Sequence, residues 1–144
     1  MFLRAPLAAL LCLTALPLAA QEVAAEPGQL LLELNNTQDT QAGTCQLTLV
    51  AENATGQALD RAAWQVAIFD RDGVVRALPV LDFGALVPGK TRVAVFELPG
   101  RPCGEIARIV VNDVAECRVQ GESQPDICLG RLSTRARGDI AFGI

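Results

Sequence analysis

Four of the five cysteines offer the clearest chemistry in this chain: Cys45, Cys103, Cys117 and Cys128. The closest two, Cys117 and Cys128, stand eleven positions apart, so they form no CxxC pair of the redox type. Structural zinc sites usually bring two closely spaced pairs of thiolates, which this spacing also lacks. An even number of cysteines in an oxidising compartment is typical of structural cross-links, so we predict two disulfides.

The remaining polar residues give little support to catalysis. The chain has no histidine, which removes the commonest general base and metal ligand. Ser123 and Ser133 are its only serines, and neither lies in a nucleophile-elbow motif. A glycosidase-type carboxylate pair would need a cleft that raises one pKa. The acidic residues available for such a pair are Asp82, Glu97, Glu105, Asp113 and Glu116. We expect no enzyme, no cofactor and no metal centre.

The segment Asp70-Arg71-Asp72-Gly73 begins like a calcium-binding loop. Such a loop needs a further oxygen ligand before its glycine and a glutamate at its twelfth position, where this chain has Leu81. Asp-Gly between two apolar runs is instead typical of a hairpin turn, because glycine accepts the positive φ of such turns. We therefore favour the hairpin.

Residues 1–20 have the pattern of a secretory signal peptide: Arg4 is the only charge, and an apolar run with Cys12 follows. The run is shorter than the roughly 20 residues that span a bilayer and contains two prolines, which favours cleavage over anchoring. We expect cleavage after Ala20, with Ala25 as the alternative. The product would be periplasmic or secreted, with no stable membrane insertion.

Loss of residues 1–20 changes the formal net charge from −4 to −5, because one arginine leaves with them. An acidic surface repels phosphate backbones and anionic lipids. Arg131, Arg135 and Arg137 come nearest to a basic patch, and their spacing indicates a solvated, polar end of the chain. We therefore expect no nucleic-acid ligand.

The elements that carry the cysteines are predicted to be short strands. Residues 45–53 alternate apolar and polar side chains, as in a strand with one face buried. Turn signals at Asp72-Gly73, Pro88-Gly89 and residues 99–102 separate such segments. The predicted strands are Gln29–Leu34, Cys45–Asn53, Trp64–Asp70, Val74–Val80, Thr91–Leu98 and Glu105–Asp113. Residues 126–132 are expected to form a short helical turn and residues 132–142 the last strand or two.

This pattern predicts an all-β, immunoglobulin-like antiparallel β-sandwich of about seven strands. It would form a single domain over residues 29–144, after a flexible arm at 21–28. In that topology the second and sixth strands start at the same end, which favours a Cys45–Cys103 bridge. Cys117 and Cys128 would then close a local loop, although the other two connectivities of four cysteines stay open. Trp64 is expected to be buried near the Cys45–Cys103 bridge.

Two Asn-x-Thr sequences begin at Asn35 and Asn53 and satisfy the glycosylation pattern. The chain has 11 arginines to one lysine and many alanines, which indicates a GC-rich genome and favours a bacterial source. In a bacterial protein both sequences are expected to be simple turns.

Several features between Leu47 and Leu98 match one known pattern. They are Asn53-Ala54-Thr55-Gly56, Leu59, Val66–Asp70, Asp72-Gly73, Leu86, Pro88-Gly89 and Phe96. This stretch resembles the FxLYD-type domain and related small immunoglobulin-like modules of exported bacterial proteins. Val66 stands where that pattern has Phe, and Phe69 where it has Tyr. The resemblance implies an immunoglobulin-like fold and a non-catalytic accessory role in the envelope.

The predicted function is that of an exported, non-enzymatic β-sandwich that binds another protein of the envelope. Residues 93–96 are apolar on both faces, and a solvent-facing strand of that kind invites pairing with another chain. The alternative is an inhibitor of a secreted or periplasmic hydrolase that presents the loop Pro99–Cys103. A carboxylate-based hydrolase is a third class, which a deep acidic cleft would support.

Overall fold

The computed structural model describes residues 24–144, so the predicted signal peptide lies outside the described residues. The strands are β1 Leu30–Asp39, β2 Cys45–Asn53, β3 Leu59–Asp70, β4 Val75–Ala77, β5 Val80–Leu86, β6 Thr91–Leu98, β7 Ile106–Val119, β8 Glu122–Ser123, β9 Leu132–Ala136 and β10 Ala141–Gly143. A 3-10 turn at Cys103–Glu105 precedes β7, and one short helix, α1 (Pro125–Gly130), lies between β8 and β9. None of the helical segments in this range is long and apolar enough to span a bilayer.

The strands form two sheets with the orders β6-β2-β1-β9 and β10-β7-β3-β4. In addition, β5 pairs with β3 and β8 with β7. Along β2, fully buried residues alternate with partly exposed ones, because successive side chains point to opposite faces of the sheet. The apolar inner faces of both sheets form one core. The predicted β-sandwich is confirmed.

The arrangement of strands adds two features to the prediction. Ten strands, rather than about seven, lie in residues 24–144, partly because the segment after the Asp72-Gly73 turn divides into β4 and β5 at Pro79. Proline lacks the N–H that a sheet ladder requires. The other feature is that the chain end supplies β9, parallel to β1, and β10, parallel to β7.

Both predicted disulfides are confirmed, and the two other connectivities are excluded. Cys45 bonds to Cys103 with an S–S distance of 2.02 Å, and Cys117 bonds to Cys128 at 2.00 Å. The first bridge joins the start of β2 to the turn before β7, and so links the two sheets. The second closes a local loop between β7 and α1. Such bridges persist in an oxidising compartment.

Trp64 is fully buried as expected, but its surroundings differ from the prediction. Asp70, six residues further along β3, pairs with Ile106, next to the Cys103 turn. The indole is therefore about 20 Å along the strand from that bridge, at roughly 3.3 Å per residue. Instead, its Nε1 donates to the carbonyl of Cys128 at 2.9 Å, which places it beside the second disulfide.

Candidate functional site

Strand β6 forms one edge of its sheet. It pairs with β2 over eight consecutive residues, from Thr91 opposite Glu52 to Leu98 opposite Cys45, without a bulge. Within residues 24–144 no strand pairs with its other side. An unpartnered edge presents a row of free N–H and C=O groups that can pair with another chain.

Residues 93–96 of β6 carry apolar side chains on both faces, as predicted. Val93 and Val95 point away from the core and are 59% and 56% exposed. Phe96 points inward and packs edge to face against Phe83, with ring centroids 5.3 Å apart. Leu98 is buried in the core. The inner residues stabilise the sandwich, whereas the two exposed valines contribute little to its packing.

A cleft of about 290 Å³ lies at the Leu98 end of β6. We name it the apolar cleft, and its lining residues are Ile68, Ala77, Leu78, Pro79, Leu98, Pro99 and Arg101. Ile68 and Leu98 are buried, whereas Leu78 is 52% exposed at the mouth. β4 and β6 are edge strands of the two sheets, and residues that follow each of them line the cleft: Leu78 and Pro79 after β4, and Pro99 after β6. The Leu78 wall is fixed, because the Val66 amide donates to the Pro79 carbonyl at 2.9 Å.

The loop of residues 99–105, which forms the other wall, is anchored at several points. The Cys45–Cys103 disulfide holds its middle, and the Cys103 amide donates to Asp39 Oδ1 at 2.6 Å. Arg71 Nε donates to the Gly104 carbonyl at 2.5 Å. These contacts fix the main chain of the loop at Cys103 and Gly104, two and three residues after Arg101.

A polar cleft of about 420 Å³ lies on the other side of Arg101. Its lining residues are Asp70, Arg71, Asp72, Arg76, Arg101, Gly104 and Glu105. Arg76 Nε is 2.5 Å from Asp70 Oδ2, and Arg71 Nε donates a hydrogen bond to the Gly104 carbonyl. Arg101 makes no ion pair or side-chain hydrogen bond with any residue from 24 to 144. It is thus a partly buried guanidinium with free donors between the two clefts.

The hairpin interpretation of the Asp70–Gly73 segment is confirmed. The Gly73 amide donates to the Asp70 carbonyl, and β3 and β4 pair on either side of the turn. The amide of Val74 and the side chain of Arg76 donate to the Asp70 carboxylate and hold its pKa below the ordinary value. Among the residues that the structure describes, no three His, Cys, Asp or Glu side chains cluster as metal ligands would.

The five candidate carboxylates do not converge on one cleft. Only Asp82 and Glu116 meet, and Arg61 lies between them at 2.5 and 3.1 Å on the exposed face of the sheet. The hydrogen bond from Arg61 lowers the pKa of Asp82, which is opposite to the shift that a general acid needs. Glu97, which lies on β6 in the other sheet from these two, accepts a hydrogen bond from the neighbouring Thr44. Glu105 lines the polar cleft, and Asp113 lies in an exposed part of β7.

Glu33 forms a buried ionic cluster that the sequence pattern did not indicate. Its side chain is 3% exposed although it lies on the outer face of β1, because Arg135 and Arg137 cover it. Arg135 bonds one carboxylate oxygen, while Arg137 and Asn35 donate to the other at 2.8 and 2.6 Å. The expectation of a solvated end is therefore wrong for Arg135, whereas Arg137 remains 52% exposed although it pairs with Glu33. They bind β9 and the chain after it to β1.

Asn53 is also buried, at 2% exposure, so its Asn-x-Thr sequence is not an accessible modification site. Its Nδ2 donates to the carbonyls of Gln57 and Leu86 at 2.8 and 2.9 Å. Its Oδ1 accepts from the amide and hydroxyl of Thr55 at 3.0 and 2.7 Å. The side chain ties the turn after β2 to the end of β5.

These features define a small, disulfide-bonded β-sandwich with one long free edge. A solved structure of similar fold is that of IrmA from Escherichia coli, with a TM-score of 0.56 and 12% sequence identity. The match covers 74% of this chain and 90% of that one, and at such identity it supports the fold alone. No protein-family model and no curated protein sequence matches the chain.

Proposed function

We propose that this protein is an exported, non-enzymatic module of the bacterial envelope that binds an extended segment of a partner protein along the edge of β6. The observation that carries the proposal is the free, unbulged edge of eight residues with Val93 and Val95 exposed. In strand addition, main-chain hydrogen bonds provide affinity and alternate side chains provide specificity. The two disulfides and the signal-like N-terminus support export.

The contrast with the other sheet edges supports this choice. Natural proteins blunt free edges with short strands, bulges, proline or inward charges. In the part of the chain that the structure describes, β4 and β10 have three residues each and β9 has five. The seven residues of β5 pair with β3 through two register shifts. β6 has eight residues without a bulge or a proline, and its two charged side chains, Arg92 on the inner face and Glu97 on the outer face, lie near its ends.

The test places a photo-crosslinking residue at position 93 or 95 in cells that export the protein. We expect one discrete adduct, and we expect the double substitution Val93→Lys/Val95→Lys to weaken capture by about tenfold, because charge disfavours strand addition. Val74→Lys/Val75→Lys is the matched control, since these valines are similarly exposed on the β3–β4 hairpin. Absence of an adduct above background, or equal loss in the control, would count against the proposal.

A second candidate function is inhibition of a secreted or periplasmic hydrolase by the loop Pro99–Cys103. The fixed position of this loop favours it, because a rigid loop loses little conformational entropy on binding. The test is a panel of secreted proteases and muramidases with the native protein and with Arg101→Ala. Inhibition that the substitution abolishes would support this function, whereas an unaffected panel at micromolar protein would remove it.

A further inference from the structure

Strand β6 runs directly toward the apolar cleft. Its first residue is Thr91 and its last is Leu98, which lines the cleft together with Pro99. A segment that pairs parallel to β6 therefore has its carboxyl end beside Leu98 and Pro99, which line the cleft. Parallel pairing already occurs twice in this fold, between β1 and β9 and between β7 and β10.

The cleft is large enough to accept an apolar side chain. Its volume of about 290 Å³ lies at the lower limit of pockets for small molecules, which run from roughly 300 to 1,000 Å³. Ile68 and Leu98 provide a buried apolar floor, and an entering side chain would also cover the exposed half of Leu78. Burial of such apolar surface favours binding.

Arg101 supplies a carboxylate site at the mouth of the cleft. Its planar guanidinium has five donors that suit bidentate binding of a carboxylate. The two other arginines near it are engaged by Asp70 and by the Gly104 carbonyl. The Cys45–Cys103 disulfide, two residues further on, pre-organises the loop and so reduces the entropy lost on binding.

The acidic side chains beyond Arg101 limit how far a ligand extends. Asp72 and Glu105 line the polar cleft and make no ion pair within residues 24–144. They would repel a carboxylate that moved past Arg101. The favourable place for the negative charge is thus Arg101 itself, at the end of the apolar cleft.

We propose that the partner segment is a protein C-terminus: its last side chain is apolar and enters the apolar cleft, and its free carboxylate binds Arg101. This inference rests on the proposed strand addition, because the β6 edge directs the segment into the cleft. A fatty acid would share the apolar and carboxylate groups but has no backbone to pair with β6.

The test is selection from a library of peptides displayed with free C-termini and random in the last six positions. We expect enriched peptides to end in Leu, Val, Ile or Phe. The best peptide, synthesised as the free acid and as the C-terminal amide, should bind about tenfold more tightly as the acid. Arg101→Gln should abolish this difference, whereas Arg131→Gln, an exposed arginine on the β9 side, should preserve it. Leu78→Ser should relax the preference for an apolar last residue, and its exposed position makes unfolding a poor explanation.

The outcomes separate the two proposals. Peptides that bind equally as acid and amide, but lose affinity in Val93→Lys/Val95→Lys, overturn the terminal-carboxylate assignment and leave strand addition standing. Binding of palmitate with the same dependence on Arg101, without any enriched peptide, overturns both. The expected acid preference combined with sensitivity to the β6 substitutions supports both.

Discussion

The side chain of Asn53 satisfies four hydrogen bonds in a buried position, and its removal leaves several backbone groups without partners. We expect Asn53→Ala to lower the free energy of unfolding by about 3 kcal/mol, because each unsatisfied buried group costs roughly 1–3 kcal/mol. Denaturant unfolding measures this change. Asn36→Ala, at an exposed position of β1, is the control and should have little effect. Equal losses in the two variants would contradict the assigned role of Asn53.

Glu33 should make the free energy of unfolding depend on pH in the acidic range. Burial alone would raise its pKa, but hydrogen bonds from Arg137, Asn35 and Arg135 outweigh this effect and hold the pKa below its ordinary value of 4.5. Because the folded state favours the ionised form, this stabilisation is complete above pH 4.5 and is lost as the pH falls through the lower, folded-state pKa.

The measurement for Glu33 is denaturant unfolding between pH 7 and pH 3. The difference in free energy of unfolding between the native chain and Glu33→Gln should shrink as the pH falls below 4.5, because the variant lacks the titrating group. Glu122→Gln, at an exposed position of β8, controls for a general effect of lost charge. A constant difference between the native chain and Glu33→Gln across this range would be evidence against the cluster.

The roles of individual residues could be predicted from the sequence only in part. The positions of the cysteines were sufficient to predict both disulfides, because spacing and strand order constrain which sulfur atoms can bond. The roles of Glu33 and Arg101 could not be predicted. Glu33 is buried by arginines about a hundred positions away in sequence, and Arg101 has free donors because no acidic side chain within residues 24–144 pairs with it. The signal that was available for Glu33 is a lone carboxylate in the run Leu30–Leu34.

At the level of elements, the two bridges should contribute unequally to stability. Cys45–Cys103 spans 58 residues and Cys117–Cys128 spans 11. The chain-entropy description gives about 4 kcal/mol for the longer loop and about 3 kcal/mol for the shorter one. We therefore expect Cys45→Ala/Cys103→Ala to lower the free energy of unfolding more than Cys117→Ala/Cys128→Ala. Denaturant unfolding of the two double variants, each the control for the other, checks the order, and the reverse order would refute it.

The elements themselves were predictable where local pattern decides structure. Strand β2 follows from period-two alternation, whereas β6 and the Trp64–Asp70 part of β3 follow from apolar runs bounded by turns that contain glycine. The division of β4 from β5 also has a local cause in Pro79. The pairing of β9 with β1 and of β10 with β7 has no local signal, because the paired strands are distant in sequence and β9 and β10 are only five and three residues long.

For the molecule as a whole, export remains the prediction that most affects function. Ala25 donates its amide to Glu52 Oε2 at 2.8 Å, and Gly28 donates to the Ala54 carbonyl. Cleavage after Ala20 would preserve the first contact, whereas cleavage after Ala25 would remove it. We expect intact-mass analysis of protein recovered from the envelope to show an N-terminus at Gln21. A chain that retains Met1 there would contradict signal cleavage, and free thiols at the four remaining cysteines would contradict an oxidising compartment.

The C-terminal strands impose an order of assembly on the nascent chain. Leu30 pairs with Leu132 and Ile109 with Phe142, so one flank of each sheet has no neighbour until residues 132–143 have been synthesised. Contacts so distant in sequence form slowly, because the intervening loop must close first. If the chain crosses a membrane unfolded, both sheets are completed only on the far side of that membrane. In that case, neither β1 nor β7 would be folded in the cytosol with one edge unpaired.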